Sequence, residues 1–189
     1  MLRIYSCIAA QHDFRLVILA GIVCFFASLT ALSLFARGRD AKGRSALRSG
    51  AWLIGAAIVA GTGIWATHFV AMLAYQPHLP VGYRHDLTIL SIAIAIVFAG
   101  AGFALALRGF RASLAGGAVV GAGIGAMHYA GMAALTVQAR PQWDQGLIAA
   151  SIALGIGFGM LAMVAAQARR GGLWCYYGAA LLLTLAICG

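Results

Sequence analysis

The sequence consists of six apolar runs separated by short connections that hold most of the charge. Only 9% of the 189 residues are charged and 63% are hydrophobic, whereas in soluble domains about a quarter of the residues are charged. Each of the first five runs is long enough to cross a hydrocarbon core of about 30 Å as a helix. The runs cover residues 13–36, 50–75, 86–107, 112–137, 144–166 and 173–189. They predict an all-α membrane protein, with 1–189 forming a single domain of about six transmembrane helices.

The distribution of Lys and Arg predicts the orientation of the bundle. The connections after the first, third and fifth runs carry nine of them: Arg37, Arg39, Lys42, Arg44, Arg48, Arg108, Arg111, Arg169 and Arg170. The opposite side carries four: Arg3, Arg15, Arg84 and Arg140. Because cytoplasmic loops are enriched in Lys and Arg, this split places the N-terminus outside. The net charge of +9 is thereby explained by topology, so we expect a lipid bilayer as the partner and no nucleic acid.

Consecutive runs pair as a repeated helical hairpin. Asp13, Asp86 and Asp144 each begin the first run of a hairpin, and aspartate is a favoured N-cap because its side chain accepts amide protons of the first turn. We therefore predict these three aspartates to be helix caps. The repetition favours one bundle of similar hairpins over separate domains.

Glycines are concentrated inside the runs. Gly117, Gly121 and Gly125 recur every four residues in the fourth run. Small residues at this spacing allow membrane helices to approach closely. We therefore predict that these glycines form a helix-packing surface.

Two histidines lie inside apolar runs in similar surroundings. A Gly-x-Gly-Ile segment precedes both His68 and His128, and Met72 and Met132 follow them four residues later. Residues four apart share a helix face, so the two side chains of each His–Met pair should point in one direction. Met127 should lie about 100° round the helix from His128. Both histidines should lie roughly 10–14 Å below the outer helix ends. Intramembrane histidines are costly and usually functional.

The paired motifs favour a metal site over simple packing. Neither motif contains a carboxylate, which excludes the preferred ligands of Mg²⁺ and Ca²⁺. Imidazole and thioether groups suit copper, especially Cu(I). We predict one or two copper ions bound by His68, Met72, Met127, His128 and Met132. His12 and His85, at the outer ends of their runs, are further candidate ligands.

Two alternative functions would use the same histidines. His68 and His128 could be the axial ligands of a haem. Alternatively, the two histidines and their methionines could lie on the path of a small metal transporter. An enzyme is not predicted. The sequence has no legible Ser/His/Asp or Cys/His constellation, carboxylate pair or phosphate-binding loop.

The segments 63–74 and 123–134 resemble the repeats of the bacterial MHYT domain, named for a Met-His-Tyr-Thr motif. The resemblance extends over nearly the whole chain and includes His12-Asp13 and Cys24. It implies a multi-pass sensor of the bacterial inner membrane. Its Met, His and Cys residues near the outer face are expected to bind copper and to sense O2, CO, NO or the metal itself. This adds Cys24, otherwise a small packed side chain, to the candidate ligands.

The resemblance also implies signalling to a cytoplasmic output, such as cyclic-di-GMP turnover by a diguanylate cyclase or phosphodiesterase. No output domain is recognisable in residues 1–189. A homodimer is one possible oligomeric state. Thr67 stands where a motif Met is expected, and Ala130 where Thr is expected. A third motif would begin where the chain ends at Gly189, so we expect a fragment of a longer protein.

Overall fold

The computed structural model describes residues 13–74, 82–136, 144–167 and 172–188, and this part of the chain forms six helices. The helices are α1 (Phe14–Ala41), α2 (Ala46–Ala74), α3 (His85–Ala106), α4 (Phe110–Ala134), α5 (Gln145–Gln167) and α6 (Gly172–Cys188). The first five are long and apolar enough to cross a membrane, and α6 is a shorter apolar helix. The predicted all-α membrane fold is therefore confirmed. Four of the cations used to orient it lie outside the described residues: Arg3, Arg140, Arg169 and Arg170.

The basic connection predicted over residues 37–49 is largely helical. Helix α1 continues to Ala41 and α2 already begins at Ala46. Arg and Ala are good helix formers, so the end of the apolar run marks where the chain leaves the hydrocarbon and not where the helix stops. The Ser49 hydroxyl donates to the Gly38 carbonyl at 2.8 Å and ties the two helices together just inside the turn.

A short pair of strands joins the start of α3 to the end of α4 and was not predicted. Strand β1 (Gly82–Tyr83) runs antiparallel to β2 (Leu135–Thr136). The Arg84 amide donates to the Ala134 carbonyl at 2.8 Å and extends the pairing. The fourth run was expected to be helical to residue 137, but Leu135 and Thr136 are extended because they pair with β1.

Two of the three predicted aspartate caps are present. The Asp13 carboxylate accepts from the Arg15 amide, and Asp144 accepts from the amides of residues 146 and 147. The prediction for Asp86 is wrong. Helix α3 begins one residue earlier, at His85, with Arg84 at the N-cap position. Asp86 therefore lies in the first turn, where it pairs with the Arg84 guanidinium at 2.6 Å.

The three hairpins, α1–α2, α3–α4 and α5–α6, form a closed ring. Each helix packs on the next in sequence, and α6 packs on α1. The even-numbered helices also contact one another and therefore form the inner layer, which contains both histidine motifs. Phe35, Phe103 and Leu183 are among the largest fully buried side chains of the core.

Candidate functional site

His68 of α2 and His128 of α4 meet in the inner layer. Their Nδ1 atoms are 3.2 Å apart, and the ring planes cross at 73° with centroids 4.8 Å apart. Each histidine lies six residues before the last residue of its helix, or about 9 Å along the axis. His68 is 8% exposed, whereas His128 is exposed. The structure thus brings the two motif histidines into one layer.

The glycines before each histidine hold α2 and α4 in similar packing. A Cβ added to Gly61 would lie 2.6 Å from the backbone of Ile96 in α3. Sixty residues later, a Cβ on Gly121 would collide with the backbone of Gly155 in α5. In α2 and in α4, therefore, the motif glycine packs against the backbone of the helix that follows in sequence.

A second glycine in each motif faces the helix that comes before. A Cβ on Gly63 would collide with Ala27 of α1, and one on Gly123 would collide with Phe98 of α3. Because the glycines repeat together with the histidines, both histidines are presented to the centre of the bundle from similar packing arrangements.

The glycine stripe predicted on α4 is only partly a packing surface. Gly117 is closely apposed to the backbone of Gly159 in α5, as Gly121 is to Gly155. Gly125 differs, because a Cβ there would reach the Ile152 side chain at an ordinary 3.6 Å. Gly125 borders a cavity beside the histidines instead.

The His68 ring is seated against a glycine of the second motif. A Cβ on Gly131 would lie 2.5 Å from His68 Nε2, so the ring fills the space that a side chain would need. His68 Nε2 is buried without a hydrogen-bond partner, although the large majority of buried side-chain polar atoms have one. The corresponding position of the first motif is Ala71, so the two halves of the pair are not equivalent.

A cavity of about 140 Å³ lies beside the pair, between α2, α4, α5 and α6. His68, Met127, His128, Tyr129, Ser151 and Cys188 provide its polar and sulfur-containing lining. A liquid water molecule occupies about 30 Å³, so a diatomic molecule fits with room to spare.

Two of these groups on α4 and α5 are joined by a hydrogen bond. The Ser151 hydroxyl donates to the Ile148 carbonyl at 3.0 Å, so the Tyr129 hydroxyl donates to Ser151 Oγ at 2.9 Å. Ser151 was not among the predicted site residues. Its signal was its position as a hydroxyl side chain in the otherwise apolar interior of the fifth run.

A thiol pair lies behind the cavity. Cys24 of α1 is buried and its thiol contacts that of Cys188. The Thr67 hydroxyl, next to His68, also contacts Cys24 while donating to the Gly63 carbonyl at 2.8 Å. Cys24 was a candidate from the resemblance, whereas Cys188 was not predicted, because cysteines far apart in sequence give no spacing pattern.

Other predicted ligands lie apart from the cavity. The lining includes neither Met72 nor Met132, because a residue four positions on is one turn nearer the helix end. Met127, a predicted ligand about 100° round the helix from His128, lines the cavity and is 1% exposed. His85 is exposed at the start of α3, and His12 lies outside the described residues.

The histidine pair has a separation suited to a metal. Metal–imidazole bonds are about 2.0–2.1 Å long, which puts two ligand nitrogens of a tetrahedral ion about 3.3 Å apart. The observed 3.2 Å fits this value, and also a hydrogen bond. Within the described residues, no group of three or more His, Cys, Asp or Glu gathers at one point. A third ligand near the pair would therefore be the Met127 thioether, which selects a soft ion.

Comparison with known proteins shows that two stretches of the chain match the repeat of one family. The family model described as the bacterial signalling protein N-terminal repeat, MHYT, matches residues 61–117 and 121–179. The two stretches cover more than half of the chain, and each starts at a glycine seven residues before a motif histidine. The chain belongs to the MHYT family. The matched stretches are those of a signalling domain, and the described helices are those of a multi-pass membrane protein.

Relatives with this domain are signalling proteins. The MHYT chain is 39% identical over 189 residues to the bifunctional diguanylate cyclase/cyclic di-GMP phosphodiesterase MucR of Pseudomonas aeruginosa, covering 95% of this chain and 27% of MucR. It is 38% identical over 183 residues to an uncharacterized signaling protein of Caulobacter vibrioides, covering 92% and 22%. For the cyclic di-GMP phosphodiesterase NbdA of P. aeruginosa the identity is 36% over 161 residues, covering 82% and 20%. The chain thus spans about a quarter of these relatives' length. No solved structure matches it.

Proposed function

We propose that this MHYT domain is a sensor of the bacterial inner membrane that binds copper between α2 and α4 and responds to a diatomic gas or to the metal itself. The observation that carries the proposal is the 3.2 Å separation of His68 Nδ1 and His128 Nδ1 beside an intramembrane cavity. The two imidazoles would hold the ion, with the Met127 thioether as the third ligand. When bound, copper would supply a coordination position for O2, CO or NO.

The remaining lining groups position and tune the site. Outside the lining, the absence of a side chain at Gly131 lets the His68 ring lie against α4. The Tyr129 hydroxyl, fixed by Ser151, offers a polar group to a small molecule in the cavity. The apolar surroundings keep water scarce, which suits a Cu(I) ion with neutral ligands because only one charge is buried.

Signalling would follow from a shift in helix packing. The site joins α2, α4, α5 and α6, so a ligand that prefers one arrangement of these helices shifts the population toward it. The names of MucR and NbdA support an output in cyclic-di-GMP turnover, carried by a cytoplasmic domain or partner.

A haem held by the same pair is less well supported. Two axial imidazoles bind on opposite sides of the iron, with nitrogens about 4 Å apart across the macrocycle. His68 and His128 are in contact at 3.2 Å, which leaves no gap for the ring.

Metal analysis of the purified domain without a histidine tag tests the proposal. We expect about one copper ion per chain, and loss of most of it in His68→Ala and His128→Ala. His85→Ala is the matched control, because His85 is exposed outside the cavity, and it should retain copper. Carbonyl stretching bands of Cu(I)–CO would report gas binding. Copper that persists in the double His68→Ala/His128→Ala variant would refute the site.

A further inference from the structure

A second, larger cavity lies at the opposite, basic end of the bundle. It has a volume of about 700 Å³ and opens between the α1–α2 turn, the α3–α4 turn and the end of α5. Arg39, Lys42 and Gln167 supply its polar lining, and Leu107 and Phe110 supply its apolar lining. It shares no lining residue with the histidine cavity.

This end of the bundle has a strong excess of positive charge. In the described residues it carries seven cations: Arg37, Arg39, Lys42, Arg44, Arg48, Arg108 and Arg111. The carboxylate at this end is Asp40, which is exposed and 3.7 Å from Arg39. The other three acidic residues of the chain are at the opposite end. No carboxylate lines the cavity, so its two cations favour an anionic ligand.

The two cations are held in place by bonds to other hairpins. Lys42 Nζ donates to the Leu107 carbonyl at 2.8 Å, and Arg39 Nη1 donates to the Ala166 carbonyl at 3.1 Å. Gln167 Nε2 in turn donates to the Ala106 carbonyl at 2.6 Å. An ammonium has three donors and a guanidinium five, so both cations keep donors for a ligand while their positions are set by α3 and α5.

The apolar lining indicates which anion fits. Phe110 is 60% exposed and lies beside the cations at a helix end, where the chain leaves the hydrocarbon. We propose that this cavity binds the headgroup of an anionic phospholipid. Its phosphate would lie between Arg39 and Lys42, and its acyl chains would pass Phe110 into the bilayer. A free phosphate ion would gain nothing from Phe110 or Leu107.

Such a lipid would connect all three hairpins at one end of the bundle. Arg39 and Lys42 belong to the first hairpin, Leu107 and Phe110 to the second, and Gln167 to the third. The arrangement of the helix ends would then depend on membrane composition. This inference is independent of copper binding, because it rests on a separate cavity.

Native mass spectrometry of the whole chain in detergent tests the proposal, with titrated phosphatidylglycerol or phosphatidylcholine. We expect retention of phosphatidylglycerol and little retention of phosphatidylcholine. Lys42→Gln should weaken phosphatidylglycerol binding about tenfold, and Lys42→Arg should restore most of it. Arg44→Gln is the matched control, since it removes the same charge from the same turn outside the cavity, and should weaken binding less than about threefold.

Gly43→Phe provides a test that removes no charge or contact. Gly43 lines the cavity, and a Cβ there meets nothing within 4 Å. The phenyl ring would therefore occupy space that the lipid needs, and we expect reduced lipid binding at an unchanged melting temperature. Equal losses in Lys42→Gln and Arg44→Gln would overturn the proposal in favour of diffuse attraction to the basic surface. Unchanged binding in Gly43→Phe, or displacement of the lipid by millimolar inorganic phosphate, would also overturn it.

Discussion

His68 depends on the absence of a side chain at Gly131. The ring occupies the space of a missing Cβ and in this position places Nδ1 against His128. From the sequence, Gly131 was assigned no role. Its role becomes visible only when α2 and α4 are placed together, since the partner lies 63 residues away.

At the residue scale, Gly131→Ala should disturb the histidine pair. The added methyl forces the His68 ring to move, and overpacking of this kind costs about 1–3 kcal/mol. We expect a lower melting temperature together with loss of copper binding. Gly55→Ala is the control, because its Cβ would meet the Leu34 side chain at an ordinary 3.7 Å and Gly55 is outside the cavity lining. Equal copper content in Gly131→Ala and wild type would show that the ring position is not set by this glycine.

At the element scale, the helices are placed by glycines that face backbone atoms. Gly117 and Gly121 of α4 interlock with Gly159 and Gly155 of α5, so the two helices approach as closely as their main chains allow. Helix existence and length were predictable because membrane-length apolar runs leave few alternatives. Helix ends were not, since the turn at 42–45 and the β1–β2 pair depend on contacts that hydropathy does not encode.

Gly121→Ala should therefore loosen the α4–α5 contact. Its Cβ would collide with backbone atoms of Gly155, which cannot rotate away, and we expect a loss of about 1–3 kcal/mol in the free energy of unfolding. Gly157→Ala in α5 is the control, because a Cβ there would meet nothing within 4 Å. This change should be neutral or should stabilise the protein by up to about 1 kcal/mol. Unfolding in SDS measures both variants. A similar loss in both would contradict close backbone packing at Gly121.

At the scale of the whole molecule, the ring of six helices is closed by contacts between its ends. The Tyr176 hydroxyl of α6 donates a hydrogen bond to the Leu29 carbonyl of α1, and the thiols of Cys24 and Cys188 meet between the same helices. These contacts span almost the full length of the sequence. They also hold α6 against the histidine cavity, which Cys188 lines.

Removing the Tyr176 hydroxyl should weaken this closure. We expect Tyr176→Phe to lower the free energy of unfolding by about 0.5–1.5 kcal/mol. The neighbouring Tyr177→Phe serves as the control, because Tyr177 is 47% exposed and should tolerate the change. Thermal unfolding in the same detergent compares them, and a loss that is larger in Tyr177→Phe would argue against ring closure through α6.

The sequence by itself determined the membrane fold, the hairpin repeat, the family and the pairing of His68 with His128. These follow from local properties: apolar length, charge placement and a motif repeated after 60 residues. Only the tertiary structure decided which other groups join the histidines. It placed Met127, Ser151 and Cys188 at the cavity and left Met72 and Met132 outside. Which side chains line the cavity depends on the rotation of each helix and on the distance between helices. Both are set by glycine contacts between helices that are distant in the chain.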